Sequence, residues 1–296
     1  MVRPLALAVA GLAFASQAAF AAPAWCPKGG LNYGVIPYDS SAAFVPMYHK
    51  LGNLIEAATG CKVNVLIGNN YTATIEAMRA KKIDAGELGP LSYVLAHAVA
   101  GVVAIATYSN REGQPDTYTA SVVTWPGSGI TTLKGVAGHT FAYSDPASTS
   151  GHLFPAYALA KAGIDPDHGV KAIYAGSHTS SFEALLHHKV EAGEMNSSEI
   201  SSAKAAGIYK ASDFVTLWTS APIPQDPIVV RSDLPEPLKT NLTSALQHLS
   251  LAPLTQKELD VVGVSGRTYV PQSDAAYNGI RDLISVLHID LNKLNQ

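Results

Sequence analysis

The chain has 296 residues, 47% hydrophobic and 15% charged, enough apolar material for one large core or two lobes. Its formal net charge of −3 supplies no basic field of the kind that holds nucleic acid or anionic membrane surfaces. Nucleic acid is therefore not an expected partner, and no window beyond the amino terminus is long and apolar enough to cross a membrane.

The first residues, MVRPLALAVAGLAFASQAAFAAPAW, place one positive charge at Arg3 ahead of a short apolar run and the small-residue pattern Ala19-Phe20-Ala21. This is the pattern of a secretory signal peptide, residues 1–21, cleaved after Ala21. Bulky Trp25 stands before Cys26, where a lipid-attachment site needs a small residue, so a lipid anchor is not expected. Export gives meaning to the two cysteines, Cys26 and Cys61, each just ahead of a strand-like run. Parallel neighbouring strands would bring their starts together, and an oxidising compartment favours a Cys26–Cys61 disulfide worth ~3 kcal/mol. A free thiol pair, or thiolate ligation of a soft ion, remains open at this point.

From residue 31 short β-rich runs alternate with longer amphipathic ones: LNYGVI, FVPMYHKLGNLIEAATG, KVNVLI, YTATIEAMRAKK, IDAGEL, LSYVLAHAVA and VVAIATY. A second series runs through ASVVTW, FAYSD, HLFPAYALAKAG, VKAIYA, SFEALLHHKV, EAGEM and FVTLWTS, and terminal helices follow over EPLKTNLTSALQHLS and YNGIRDLISVLHIDLNKL. Strand and helix alternation predicts an α/β fold, with parallel sheets flanked by helices on both faces. Two such series predict two lobes joined by strand-like crossings near 119–121 and 228–231. Lobe I takes residues 22–119 plus 230–296 and lobe II residues 120–229. A ligand then belongs in the cleft, where the carboxyl ends of the strands meet.

The loop YSDPASTSGHLFP, residues 143–155, has the composition of an anion cradle. A helix start leaves backbone N–H groups unpaired, Ser148, Thr149 and Ser150 add hydroxyls, and Gly151 permits close approach. Ordinary capping by a single hydroxyl accounts for the same residues equally well. Asp145, Ser150 and His152 do not make a catalytic triad at this spacing, and no Gly-x-Ser-x-Gly elbow is present. His187 and His188 are adjacent and face apart on a helix, so with His178 they form no metal site. A second strand-to-helix turn, Gly176-Ser177-His178-Thr179, offers further donors, and Asp226 sits between the prolines Pro224 and Pro227 at the return crossing.

Together YGVIPYDS, YTATIEAMRAKKIDAGELGPLSYVLA, DPASTSGHLFP, AGSHTSSFEALLHHKVEAG and IPQDPIVVR, spread over residues 31–235, resemble the PhnD-like family of periplasmic substrate-binding proteins of phosphonate, phosphate and phosphite ABC importers. The resemblance implies the two-lobed type II periplasmic binding-protein fold. It implies that Ser148, Thr149 and Ser150 hold phosphonate oxygens, with His178 donating from the facing turn and Tyr71 from the other lobe. Tyr38 and Tyr93 are implied cleft-lining aromatics. Glu199 and Asp226 match the acids that receive the ammonium group of 2-aminoethylphosphonate. Leu88 and Met195 depart from the pattern and leave room for other ligands, among them phosphite, methylphosphonate and phosphate. Arsenite would require a cleft thiolate, which neither cysteine provides. The implied protein is a monomeric, cofactor-free, non-enzymatic binder that hands a small oxyanion to a membrane permease. An oxyanion-sensing subunit for a membrane kinase, and an exported hydrolase using a hydroxyl of the 148–150 run, are the alternatives.

Overall fold

The computed structural model describes residues 22–289. The expected signal peptide and its cleavage point lie outside the described residues. The first series gives β1 (Leu31–Val35), α1 (Phe44–Thr59), β2 (Val63–Ile67), α2 (Tyr71–Arg79), β3 (Ala85–Glu87), α3 (Pro90–Ala100) and β4 (Val102–Tyr108). After a crossing through β5 (Thr117–Tyr118), the second series gives β6 (Ala120–Thr124), β7 (Thr140–Tyr143), α4 (Phe154–Lys161), β8 (Lys171–Tyr174), α5 (His178–Leu186), β9 (Ala192–Asn196), α6 (Ser197–Ala205) and β10 (Val215–Thr219). The chain returns through β11 (Ile223–Pro224) and β12 (Pro227–Arg231), then adds α7 (Glu236–Leu246), α8 (Gln256–Val262), β13 (Tyr269–Pro271) and α9 (Asn278–Val286).

These strands form a six-stranded sheet, β13-β4-β12-β3-β1-β2, and a five-stranded sheet, β10-β6-β9-β7-β8, with β5 and β11 paired at the crossing. The sequence leads one to expect parallel sheets, and the sheets are mixed. β1 runs parallel to β2 and β3, and β7 to β8 and β9. β12 is antiparallel to both β3 and β4, and β6 is antiparallel to β9. The cause is the crossing itself: a strand arriving from the other lobe enters the sheet at its cleft end and so runs against its neighbours. β12 belongs to the first sheet from Pro227 onward, which puts the return crossing at residues 220–226, ahead of the expected change at 229/230.

The helices are set by apolar spacing and by their ends. In α1, Phe44, Met47, Tyr48, Leu51 and Ile55 recur at intervals of three and four and are buried against β1. The helix stops at Gly60, whose φ of 71° is a left-handed conformation that glycine adopts at little cost. Several strand-to-helix turns are capped by their own side chains: Asn70 accepts from the Ala73 amide, Ser148 from Gly151, Ser177 from Ser180 and Asn196 from Glu199. These caps fix helix starts at the carboxyl ends of strands, where the two sheets face each other.

The opposite pole of the first sheet is tied covalently. Cys26 and Cys61 form a disulfide with Cα atoms 5.4 Å apart, bridging the approaches to β1 and β2. It closes a loop with a sequence separation of 35, which restricts the unfolded chain and stabilises the fold by about 3 kcal/mol. Reduction, or Cys26→Ser with Cys61→Ser, is expected to lower the melting temperature by roughly 6–12 °C. Ligand affinity measured well below the transition should stay within about twofold, because the bridge lies at the pole away from the cleft.

Candidate functional site

Six strand ends converge between the lobes. From the first lobe come the loop after β1, carrying Ile36 and Tyr38, the start of α2 at Tyr71, and Gly89 after β3. The second lobe sends the 148–150 run, His178 at the start of α5, and Asn196 and Ser198 at the start of α6. Tyr118, Gln225 and Asp226 come from the crossings, and Val262 from α8. They enclose a small cavity, ≈ 40 Å³ as the space open to the centre of a water molecule. That is room for about three waters, or one small oxyanion with a short tail.

The loop from residue 145 to 153 is folded for close approach. Ser148 is buried and caps the turn by accepting from the Gly151 amide at 3.1 Å. The turn is widened: the Leu153 amide reaches back five residues to the Ser148 carbonyl at 3.1 Å, and regular helix follows from Phe154. Thr149 and Ser150 head this helix, where amides have no carbonyl of their own helix to bond and carry the positive end of its dipole. Gly151 is required here, since a Cβ would stand 1.7 Å from Ser144 Oγ and 2.8 Å from the His178 ring.

His178 points its Nε2 at Ser148 Oγ, 3.4 Å away, and its Nδ1 at both oxygens of Glu194, 3.0 Å away. Both residues are buried. Burial alone would strip the proton from the imidazole, but the Glu194 carboxylate, with Glu199 and Asp226 beyond it, more than offsets that and raises its pKa above the ordinary value. The imidazolium then donates from both nitrogens, one to Glu194 and one towards the cavity. Glu194 is missed by motif reading, although a carboxylate inside a short buried strand is a signal that burial statistics make unusual. Strand alternation puts Glu194 and Asn196 on the site face of β9 and Met195 on the other, among Phe182, Leu185 and Val123. Met195 therefore does not shape the cavity.

Tyr71 and Tyr118 are buried phenols within hydrogen-bonding reach of the hydroxyl run, Tyr71 at Ser148 and Tyr118 at Thr149 and Ser150. Burial, then the nearby carboxylates Asp145 for Tyr71 and Asp226 for both, push both pKa values well up, so both remain protonated donors. Asn196 donates to Ser150 Oγ at 3.2 Å. Asp226 lines the cavity, and no described residue donates to its carboxylate; burial, then Glu87, drive its pKa well above the ordinary carboxylate value. Neither lysine nor arginine lines the cavity, and His178 is its one cationic side chain.

Two expected site residues lie elsewhere. Tyr93, one turn into α3, donates to Asp274 Oδ1 at 2.6 Å and packs on Tyr277, because Gly89 rather than the helix body reaches the cavity. Glu199 is buried but does not line the cavity; its carboxylate lies 3.5 Å from Thr179 Oγ1 and is raised to about 7 by burial, His178 opposing and Asp39 adding to the rise. Tyr38 does line the cavity, and its hydroxyl meets that of Tyr48 at 2.8 Å. Tyr48 in turn donates to Glu87 at 2.8 Å, and Tyr108 donates to the other Glu87 oxygen at 2.7 Å. The Asp145, Ser150 and His152 side chains are dispersed: Asp145 accepts from the Ala147 and Tyr71 amides, and His152 bonds the Pro146 carbonyl.

The lobes are joined across the cavity by the same loops. Thr149 Oγ1 accepts from the Leu91 amide at 2.8 Å, and Ser92 donates to the Ala147 carbonyl at 2.9 Å. The His178 amide donates to the Tyr38 carbonyl at 2.9 Å, and Thr179 donates to Asp39 at 2.9 Å. Among the described residues no group of three or more metal-ligating side chains is assembled.

This architecture is widely shared. A binding-protein component of a phosphonate ABC transporter from Pseudomonas aeruginosa superposes with a TM-score of 0.77 over 90% of this chain and 88% of that one, at 24% identity. A Prochlorococcus marinus protein solved in complex with methylphosphonate superposes at 0.74 over 87% and 98%, at 21% identity. In sequence, the chain is 28% identical to the phosphonates-binding periplasmic protein of Escherichia coli K12 over 79% of this chain and 70% of that protein. It is 25% identical to the phosphate-import protein PhnD of Mycolicibacterium smegmatis over 86% and 85%. Residues 33–277 match the family model described as ABC transporter, phosphonate, periplasmic substrate-binding protein, and the chain belongs to that family of transporter binding proteins, which are not enzymes.

Proposed function

We propose that this protein captures an aminoalkylphosphonate, with 2-aminoethylphosphonate as the reference ligand, and delivers it as a monomer to the permease of an ABC importer. The observation that carries this reading is the polarity of the cavity. At one end stand Ser148, Thr149, Ser150, His178, Tyr71 and Tyr118, all donors; among the other lining groups is Asp226, an acceptor without a donor. A dianionic phosphonate gives up much hydration on entry, which only a full set of charge-assisted hydrogen bonds offsets. An ammonium group on the same ligand would supply the donor that Asp226 lacks. Glu199, behind the lining, adds negative potential without contact. Export with cleavage after Ala21 belongs to the same reading, and the mass of the secreted chain checks it.

One observation favours a second reading. Burial raises the Asp226 pKa well above the ordinary value, and a neutral acid there would donate to a phosphorus-bound oxygen. The ligand would then be methylphosphonate, phosphite or phosphate. Thermal-shift titration with these ligands ranks them, because a ligand at a hundred times its Kd adds about 2.7 kcal/mol of stability.

Proton linkage separates the two. An ammonium group favours ionised Asp226 and Glu199, so aminophosphonate binding at pH 7 should release protons, and affinity should rise from pH 6 towards pH 7.5 as Glu199 passes its pKa of about 7. Calorimetry in buffers of different ionisation enthalpy reads the release directly; its absence, with tighter binding of methylphosphonate, would establish the second reading. Asp226→Asn should weaken 2-aminoethylphosphonate by roughly 100-fold and methylphosphonate by less than about threefold.

Glu194→Gln removes the partner that keeps His178 protonated, leaving burial to lower the imidazole pKa. All phosphonates should then bind at least ~10-fold more weakly at pH 7.5 and recover as the pH falls towards 5.5. A uniform loss at every pH would show instead that Glu194 only supports the backbone.

A further inference from the structure

The carboxyl-terminal segment reaches the cavity at a point that lies outside every loop described so far. Helix α8 is part of the first lobe: Leu259 is fully buried in the core that also holds Leu51 and Ile55 of α1, and Lys50 pairs with Glu258 at 2.8 Å. Thr255 and Glu258 form a reciprocal cap that fixes its start. Its last residue, Val262, is one of the few aliphatic side chains lining the cavity, and the next, Gly263, ends the helix at φ 72°. Gly263 lies directly on α6 of the second lobe. A Cβ added there would stand 2.3 Å from the Ser198 Cβ and 2.4 Å from its Cα. Ser198 itself lines the cavity.

The end of α8 thus touches the opposite lobe and the cavity with adjacent residues. We infer that the Gly263–Ser198 contact is a closing latch between the lobes, and that Val262 beside it limits the length of the ligand tail. Hinge closure is the usual motion of two-lobed binding proteins, and a contact between backbone atoms of both lobes forms only when they have come together. Glycine at 263 is needed twice, for its positive φ and for the absence of a Cβ against Ser198. Neither neighbour can yield, because the obstructing atoms are Cα and Cβ rather than the end of a flexible side chain. The Val262 methyl groups, carried on the same rigid helix, then meet whatever part of the ligand faces α8. The role of Val262 rests on the aminoalkylphosphonate reading; that of Gly263 requires only that some ligand bind.

The test uses the full mature chain and three variants. Gly263→Ala should weaken every ligand that the wild type binds by at least ~10-fold, and should abolish the ligand-induced fall in radius of gyration seen by small-angle X-ray scattering. Gly207→Ala is the control, since Gly207 has φ 75° and nothing within 4 Å of an added Cβ. It shares the backbone strain without the clash and should keep both affinity and compaction. Val262→Ala should shift the affinity ratio of 3-aminopropylphosphonate to 2-aminoethylphosphonate upward by at least ~10-fold, the effect of room for one methylene. Closure and affinity unchanged in Gly263→Ala would overturn the latch, and an unchanged ratio in Val262→Ala would overturn the tail limit. A wild type that binds phosphate but no phosphonate defeats the functional reading instead, and leaves the latch to be judged with phosphate.

Discussion

The buried pair of His178 and Glu194 is the interaction on which the electrostatics of the site depend. The cavity region is rich in carboxylates, with Asp226 on its wall and Asp39, Glu87, Glu194 and Glu199 around it, and His178 is the one cationic side chain lining it. A phosphorus oxyanion placed there without the imidazolium would meet a net repulsive field, which hydroxyls and helix dipoles alone must then overcome. Glu194 serves by orientation as well as charge: bonded to Nδ1, it leaves Nε2 directed at the Ser148 hydroxyl.

Around that pair the fold contributes dipoles rather than charges. Strand ends deliver helix starts to the cleft, and each start is capped by a side chain of the same turn, so that the remaining donors stay free to face inward. Asp145 and Thr149 do not serve as a simple cradle. Asp145 accepts from the Tyr71 amide and Thr149 from the Leu91 amide, so the loop proposed to hold an oxyanion is also a surface on which the lobes meet. Binding and closure draw on the same few residues, which makes an oxyanion at the loop and a shut cleft mutually reinforcing.

Much of this was legible in the sequence, for identifiable reasons. The run Ser148-Thr149-Ser150-Gly151 stands out because consecutive small polar residues before an apolar helix have few purely structural uses, and His178 stands out because it follows a strand in a glycine-containing turn. Tyr118, Gln225 and Val262 did not stand out, since they reach the cavity from crossings and from a distant helix, and no local pattern encodes that approach. Tyr93, which the resemblance implies for the cleft, lies one turn into α3, where side-chain direction sends the phenol to Asp274. Glu199 was placed near the correct point but one layer behind the wall. The antiparallel strands β6 and β12 escaped because strand direction follows from where the chain enters a sheet, which hydrophobic periodicity does not record.

The chain Tyr38, Tyr48, Glu87 has a direction. Burial raises the Glu87 pKa to about 7; when Glu87 is ionised, Tyr48 gives it its one hydroxyl proton, so at the 2.8 Å contact between the two tyrosines Tyr38 is the giver and Tyr48 the receiver. What Tyr38 has left is lone pairs. A tyrosine on the wall of such a cavity is easily counted as one more donor, yet this one is committed inward, towards the fully buried Glu87 carboxylate. The wiring behind a binding wall thus decides which of two opposite roles an identical side chain plays. In that sense Glu87, which does not line this cavity, is part of the site's grammar.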